Sequence, residues 1–158
     1  MGTLAREWAL SPGGRAYAEL VEPAWVSAYA PRGFRSLLMT DDSTRVAELR
    51  KMVADFVAAR DWGHYHDAKN LSMAIAIEAA ELMEHFQWVR SDELPALLRD
   101  EARRAKVVDE VADIACYLFS LVNALGIDLA TAMTAKVAKN AVKYPVEQFR
   151  GHYFKPGE

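Results

Sequence analysis

Cysteine is almost missing from this sequence of 158 residues, which contains Cys116 and no second thiol. A single cysteine excludes a disulfide within the chain and any zinc site built on cysteines. Cys116 lies in an apolar run, which favours a small side chain of the core. The motifs GxxxxGK[ST], GxGxxG, GxSxG and HExxH are also absent. A bound phosphate would therefore be held by side chains and a cation, because no glycine-rich loop is available.

The sequence also lacks a long apolar run, an alternating strand pattern and an excess of basic charge. No apolar run approaches the roughly 20 residues that span a bilayer, and no charged segment followed by an apolar one marks a secretory signal. The net charge of −3 is spread along the chain, which argues against a nucleic-acid partner. We therefore expect a cytoplasmic protein that binds neither membrane nor nucleic acid.

Proline and glycine divide the chain into three parts. Residues 1–40 are rich in both, and we expect an N-terminal extension that is partly irregular. Met39 is an alternative natural start. Residues 41–145 are expected to form one helical domain, since the length suits a single domain. Residues 146–158 are expected to form an irregular C-terminal tail.

Four stretches of the middle part have the length and the apolar periodicity of helices. Asp41, Asp42, Ser43 and Thr44 offer N-caps to the first, Asp128 caps the last, and Gly126 ends the third. Short connections between them favour antiparallel neighbours. The sequence thus predicts an all-α protein with four main helices, over residues 44–60, 69–89, 103–125 and 128–143, with a short turn at 95–100.

Two carboxylate pairs stand inside two of these apolar helices: Glu78 with Glu81, and Glu110 with Asp113. Residues at i and i+3 share a helix face. Neighbouring helices lie roughly 8–10 Å apart, so four facing acids repel one another unless a cation lies among them. Oxygen ligands without cysteine or histidine suit Mg²⁺ or Mn²⁺. We interpret the four acids as a metal site; ordinary surface acids or structural ion pairs are the alternative.

One turn beyond each acid pair stands a further polar side chain, His85 on the first helix and Tyr117 on the second. The i, i+3, i+7 spacing places each near its acids. Tyr117 could donate a hydrogen bond to a ligand, or it could lie at the edge of the core. His85 could support a metal ligand from behind, or it could be an ordinary histidine near a helix end.

The last helix carries a basic stripe of Lys136, Lys139 and Lys143, with Asn140 beside it. Three ammonium groups on one stripe suit a polyphosphate that also binds Mg²⁺. The alternative is a solvated basic face near a helix C-terminus, which the helix dipole favours.

Two tryptophans bracket the first acid helix, Trp62 before it and Trp88 at its predicted end. Flat aromatic faces stack on nucleobases. His64, His66 and Asn70 lie between them in sequence, and they could contact base edges or phosphate. The alternative is that both tryptophans belong to the core of a small helical protein.

Glu78-x-x-Glu81 followed by Glu110-x-x-Asp113 resembles the ExxE…ExxD signature of the all-α nucleotide pyrophosphohydrolases, the MazG-like superfamily. RDWGHYHDAKNL, EAAELMEHFQW, DEVADIACYL and KVAKNAVKYP are similar, in order, to motifs of the compact MazG-like branch that includes dCTP pyrophosphatase. The resemblance covers about residues 44–150. It implies a four-helix bundle in a dimer, or in a tetramer built from dimers, with helices of two chains completing each site.

The resemblance further implies Mg²⁺-dependent hydrolysis of a nucleoside triphosphate, dCTP or a related dNTP, to the monophosphate and pyrophosphate, with Mn²⁺ as an alternative ion. One carboxylate would act as general base. Two departures from the family pattern are the long N-terminal segment and His85, where an apolar residue is expected. By motif, the metal ligands and catalytic residues would be Glu78, Glu81, Glu110 and Asp113; the substrate-binding residues would be Trp62, His66, Asn70, Trp88, Tyr117, Lys136, Asn140, Lys143 and Tyr144.

Two other functions compete with this one. A di-iron carboxylate bundle needs Glu-x-x-His on two helices, but Glu84 and Cys116 occupy the positions where the histidines would stand. A non-catalytic helical module that binds a nucleotide or a partner would share the fold, and the complete set of four acids argues against it.

Overall fold

Regular structure in the computed structural model is helical throughout the described part of the chain, residues 39–152. The all-α class and the four long helices predicted from the sequence are therefore confirmed. The predictions for residues before 39 and after 152 lie outside the described residues. The helices are α1 Val46–Ala58, α2 Ala68–Glu84, α3 Leu94–Leu97, α4 Glu101–Ala124, α5 Leu129–Lys143 and α6 Val146–Phe149, with a 3-10 turn at Gly63–Tyr65.

Aspartate side chains begin three of the four long helices. Asp67, Asp100 and Asp128 each accept a hydrogen bond from the backbone N–H three residues later, at 2.7, 3.1 and 2.8 Å. At the start of α5, the backbone N–H of Thr131 holds the pKa of Asp128 below its ordinary value. The prediction that Asp128 caps this helix is confirmed, and the capping bonds satisfy N–H groups that a helix start leaves unpaired.

The N-caps predicted for α1 were wrong. Its N-cap is Arg45, whose backbone N–H donates to Glu48 Oε2 at 2.7 Å. Ser43, one of the predicted N-caps, instead bonds to Thr40, with 2.9 Å between Ser43 Oγ and Thr40 Oγ1. Short polar side chains stabilise separate turns as readily as helix starts, so composition alone could not choose between them.

Helix α2 ends at Glu84, five residues before the predicted end at Val89. The backbone N–H of Phe86 donates to Met83 O and that of Val89 to Phe86 O, both at 3.0 Å, so the chain continues in tight turns. Trp88 therefore lies in a turn after the helix. The apolar pattern continued through these residues, but aromatic side chains are poorer helix formers than the Ala and Leu before them.

The C-terminal tail, which was predicted to be irregular, begins with a helical turn. Residues Val146–Phe149 form the helical turn α6, with Pro145 as its N-cap. Proline suits this position because it has no N–H to donate. The ring of Phe149 meets Tyr144 edge-on, with 5.2 Å between ring centroids.

Helix α4 is the centre of the described fold: α2 packs along it, and α1 packs on it less extensively. A reciprocal pair of hydrogen bonds joins α1 to the end of α4. Arg50 Nε donates to Asn123 Oδ1, and Asn123 Nδ2 donates to the Arg50 carbonyl, both at 2.9 Å. The buried apolar side chains are few within residues 39–152: Val53, Leu71, Leu97 and Val122.

Helix α5 points away from the packed helices. The chain bends by 103° between α4 and α5, and among the described elements extensive packing is confined to α2 and α1 on α4. Met133 and Val137 of α5 remain 59% and 63% exposed. A closed bundle of four helices is therefore not formed within the described part of one chain.

Among residues 39–152 no single helix is long and apolar enough to cross a membrane. Helices α4 and α5 taken together have the required length and composition, but the chain bends by 103° between them.

Gly126 makes the turn between α4 and α5, with a φ of +63° and no atom within 4 Å of a Cβ built there. We expect Gly126→Ala to lower the free energy of unfolding by roughly 1 kcal/mol, because an L side chain is strained in the left-handed region. Gly63→Ala is the matched control, since Gly63 has equal space and no positive φ. Urea denaturation checks both, and an equal loss in the control would refute the backbone explanation.

Candidate metal-binding and catalytic site

Three carboxylates meet where α2 packs on α4. One oxygen each from Glu78, Glu110 and Asp113 lies within 4.8 Å of the others. Glu78 and Glu110 are half-buried, whereas Asp113 is exposed. The i, i+3 spacing on α4 gives two of these acids, and the packing of the helices adds the third. Three converging carboxylates fit a hard divalent cation such as Mg²⁺.

Burial and mutual repulsion raise the pKa of two of these acids. Burial and the charges of Glu81, Asp113 and Glu110 raise the pKa of Glu78 above its ordinary value. Burial and the charges of Glu110 and Asp109 likewise raise the pKa of Asp113. A cation among the carboxylates would offset this repulsion, so the group has the electrostatics of a metal site.

Glu81, the fourth acid of the predicted site, lies outside the group of three. It is exposed on α2, and its charge contributes to the raised pKa of Glu78. Its assignment as a metal ligand stays a prediction.

Tyr117 lies beside Asp113 of its own helix, as its spacing predicted, whereas the carboxylate next to His85 belongs to the other acid helix. Burial and the charges of Glu78 and Asp113 raise the pKa of Tyr117, which keeps its phenol protonated as a hydrogen-bond donor. His85 Nε2 stands 3.7 Å from Glu110 Oε1. This histidine, at the end of α2, therefore lies next to a carboxylate of α4.

Trp62 and the turn that follows it contain two of the predicted substrate-binding residues. Trp62 is 43% exposed, and its ring meets Phe56 at 5.9 Å between centroids with the planes at 75°. His66 Nδ1 is buried without a hydrogen-bond partner in the described residues. An unpaired buried nitrogen is costly, so His66 lacks a partner that the described residues do not supply.

Asn70, predicted near phosphate, is engaged within the protein. Its Nδ2 donates to the Tyr65 carbonyl at 3.0 Å and to Asp67 Oδ2 at 3.3 Å. Lys69 Nζ donates to Asn70 Oδ1 at 2.8 Å. The amide thus ties the 3-10 turn to the start of α2, a supporting role that sequence spacing alone did not reveal.

Trp88 is 86% exposed and lines an open cavity of about 460 Å³. The acids of the metal group are not among its lining residues. Polar side chains at the start of α4 face the same cavity, and sequence analysis did not single them out because they are ordinary helix-start residues. The cavity is lined by Trp88, Val89, Glu93, Ala96, Leu97, Asp100 and Arg103.

The predicted phosphate-binding residues of α5 are not packed against the acid group within this chain, because α5 lacks extensive contact with α2 and α4. Lys136 and Lys143 are exposed, and Asn140 is half-buried. Lys143 Nζ lies 5.1 Å from the ring centroid of Tyr144.

Comparison of the sequence with protein-family models identifies the family to which this chain belongs. The MazG-like family model matches residues 73–153, which contain all four acids. A model of the MftR C-terminal domain matches residues 36–108, and that match ends before Glu110. The MazG-like match is thus the one that includes both carboxylate pairs.

Curated relatives of the chain are dCTP pyrophosphatases. It is 36% identical to dCTP pyrophosphatase 1 of Bos taurus over 104 residues, 66% of this chain and 62% of that protein. It is 33% identical to dCTP pyrophosphatase 1 of Homo sapiens over 103 residues, 65% and 61% of the two chains. The chain thus spans about three fifths of the length of these relatives.

A solved pyrophosphatase structure from Archaeoglobus fulgidus is also similar. Its sequence is 38% identical, its TM-score is 0.60, and the match covers 68% of this chain and 99% of that one. The likeness supports the all-α fold class.

The repulsion among the carboxylates generates a stability prediction. Because the folded protein raises the pKa of Glu78, the folded state binds a proton more readily, and its stability falls as pH rises through the range above 4.5. We expect Glu78→Gln to raise the melting temperature of the metal-free protein at pH 7, with the gain vanishing below pH ~4, where the carboxyl is protonated in both states.

The matched measurement adds Mg²⁺. At 100 times its Kd the ion should stabilise the wild type by about 2.7 kcal/mol, and it should stabilise Glu78→Gln much less. The control is Glu84→Gln, an exposed acid at the end of the same helix and outside the group. A Glu78 variant that melts lower without metal, or an equal response to Mg²⁺, would contradict the metal-site interpretation.

Proposed function

Because this chain belongs to the MazG-like family, we propose that it is a Mg²⁺-dependent nucleoside triphosphate pyrophosphohydrolase. The observation that carries the proposal is the convergence of Glu78, Glu110 and Asp113 within 4.8 Å of one another. The dCTP pyrophosphatases and the pyrophosphatase to which the chain is similar support the reaction class. The reaction consumes one water and yields a nucleoside monophosphate and pyrophosphate.

The three carboxylates would hold the cation. When bound, Mg²⁺ neutralises charge on the phosphate oxygens. Glu81 is the carboxylate outside the group of three, and it stands one helical turn from Glu78. We therefore assign to Glu81 the acceptance of a proton from the water that attacks the α-phosphorus, a role that needs a carboxylate not fully engaged in binding.

The base would lie between exposed aromatic rings. Trp62 and Trp88 each leave a large part of their surface accessible, and one base–aromatic stack is worth about 1–3 kcal/mol. Stacking tolerates many bases, so polar groups such as the unpaired His66 Nδ1 would discriminate among them. We propose dCTP or a related dNTP as substrate, following the relatives. Tyr117, beside Glu78 and Asp113, would crowd a ribose 2′-hydroxyl and favour deoxynucleotides.

The phosphates would meet the basic stripe of α5 through a second copy of the chain. Lys136, Asn140 and Lys143 carry the charge and the amide that a triphosphate requires. Since α5 turns away from the acid helices of its own chain, a neighbouring copy could bring such a stripe to the carboxylates. This arrangement makes the proposed homo-oligomer, a dimer or a tetramer, part of the site.

Pyrophosphate release from a panel of dNTPs and NTPs tests the reaction. We expect Mg²⁺-dependent release with dCTP or a related dNTP preferred, loss of turnover on chelation, and recovery when Mg²⁺ is restored. Asp113→Asn should abolish turnover, because it removes one of the three carboxylates that would hold the cation. Glu84→Gln is the control and should keep wild-type turnover. If no nucleotide releases pyrophosphate, the chain is a non-catalytic helical module.

Light scattering at micromolar concentration tests the assembly. We expect a dimer or a tetramer, because the exposed apolar side chains of α5, such as Met133 and Val137, would be buried in a subunit interface. Val137→Glu should shift the protein towards smaller species. Ala135→Glu is the matched control, since it adds the same charge at an exposed position on the opposite face of the helix, outside the basic stripe. A monomeric wild type, or equal dissociation by both variants, would contradict the shared site.

A further inference from the structure

After the end of α1 the hydrogen bond of Arg60 spans three residues rather than four, which leaves the Phe56 carbonyl without a backbone donor. The backbone N–H of Arg60 donates to Val57 O at 3.2 Å, so it does not reach the carbonyl of Phe56, four residues before it. The side chain takes over this acceptor: Arg60 Nη1 donates to Phe56 O at 3.1 Å. A cation here also lies at the negative end of the helix dipole.

The same guanidinium lies on the aromatic side chains. Its central carbon is 3.6 Å from the ring centroid of Phe56 and 5.7 Å from that of Trp62. Both distances fall within the roughly 6 Å of a cation–π interaction. The two rings meet edge to face at 5.9 Å, so Arg60, Phe56 and Trp62 form one cluster.

The backbone brings Trp62 back to the helix that it follows. Asp61 adopts a φ of +52°, a left-handed conformation that a residue other than glycine adopts only at a cost. The N–H of Trp62 then donates to Val57 O at 3.1 Å. The indole is thereby placed beside Phe56 while 43% of the residue's surface stays accessible.

From this cluster we propose that Arg60 is a positioning residue for base recognition, which holds the indole of Trp62 in the orientation that stacks on the nucleobase. The proposal rests on the proposed nucleotide-binding function. The indole is 43% exposed at a helix end, and the side chains it meets in this cluster are Phe56 and Arg60. A guanidinium bonded to the Phe56 carbonyl fixes one side of the cluster and leaves the accessible side to a ligand.

The test measures orientation and catalysis separately. The indole N–H resonance of Trp62 is the one lost from the ¹⁵N–¹H spectrum of Trp62→Phe. In the ligand-free protein, we expect Arg60→Gln to shift or broaden this resonance and to leave that of Trp88 unchanged. With dCTP as substrate, the variant should raise KM about fivefold, near the lower end of what losing one base stack costs, with kcat unchanged.

A double-mutant cycle and a control variant exclude a general effect on folding. In a Trp62→Ala background, Arg60→Gln should raise KM no further, because the two residues act as one unit. Lys51→Gln removes a cation of the same helix that pairs with Asp55 at 2.7 Å, and it should change neither the resonance nor KM.

Two outcomes would overturn the proposal: an unchanged Trp62 resonance in Arg60→Gln, or a KM increase equally large in the Trp62→Ala background. If the wild type hydrolyses no nucleotide, the proposed function fails, and the resonance of the ligand-free protein still decides whether Arg60 orients Trp62.

Discussion

The contact between α2 and α4 stabilises the fold by packing and at the same time brings carboxylates together that repel one another. These helices provide the most extensive packing of the described fold, and the same contact brings Glu78 against Glu110 and Asp113. Burial and mutual repulsion raise the pKa of Glu78, so the packing carries an electrostatic cost at neutral pH. A cation among these carboxylates would offset the repulsion and could also bind phosphate, which is the basis of the proposed Mg²⁺ dependence.

The aromatic part of the site depends on helix ends, where backbone groups need partners. At the end of α1 an arginine side chain takes a carbonyl that the tightened turn leaves free, and it brings Phe56 and Trp62 together. At the start of α2, Asn70 joins the turn of Tyr65 to the helix. In both places a side chain donates a hydrogen bond to a backbone carbonyl near a helix end, which links the turn to the helix.

Exposed apolar surface on α5 is the observation behind the proposed second copy of the chain. Met133 and Val137 of α5 are more than half exposed, and α5 lacks extensive packing against the acid helices. Its basic stripe and its apolar face stand on one helix. Cover for the apolar face by a second copy would thus also place positive charge near an acid group, which is the reason for linking assembly to phosphate binding in the proposal.

The sequence by itself determined the all-α class, the four long helices, the cap at Asp128 and the stripe on which each acid pair lies, because these follow from local periodicity and from bonds within four residues. It misjudged the caps of α1 and the end of α2, where short-range choices are nearly equal in energy. Only the tertiary structure decided which acids converge, that His85 faces Glu110, and that α5 turns away. Those facts depend on contacts between residues far apart in the chain, which local patterns do not encode.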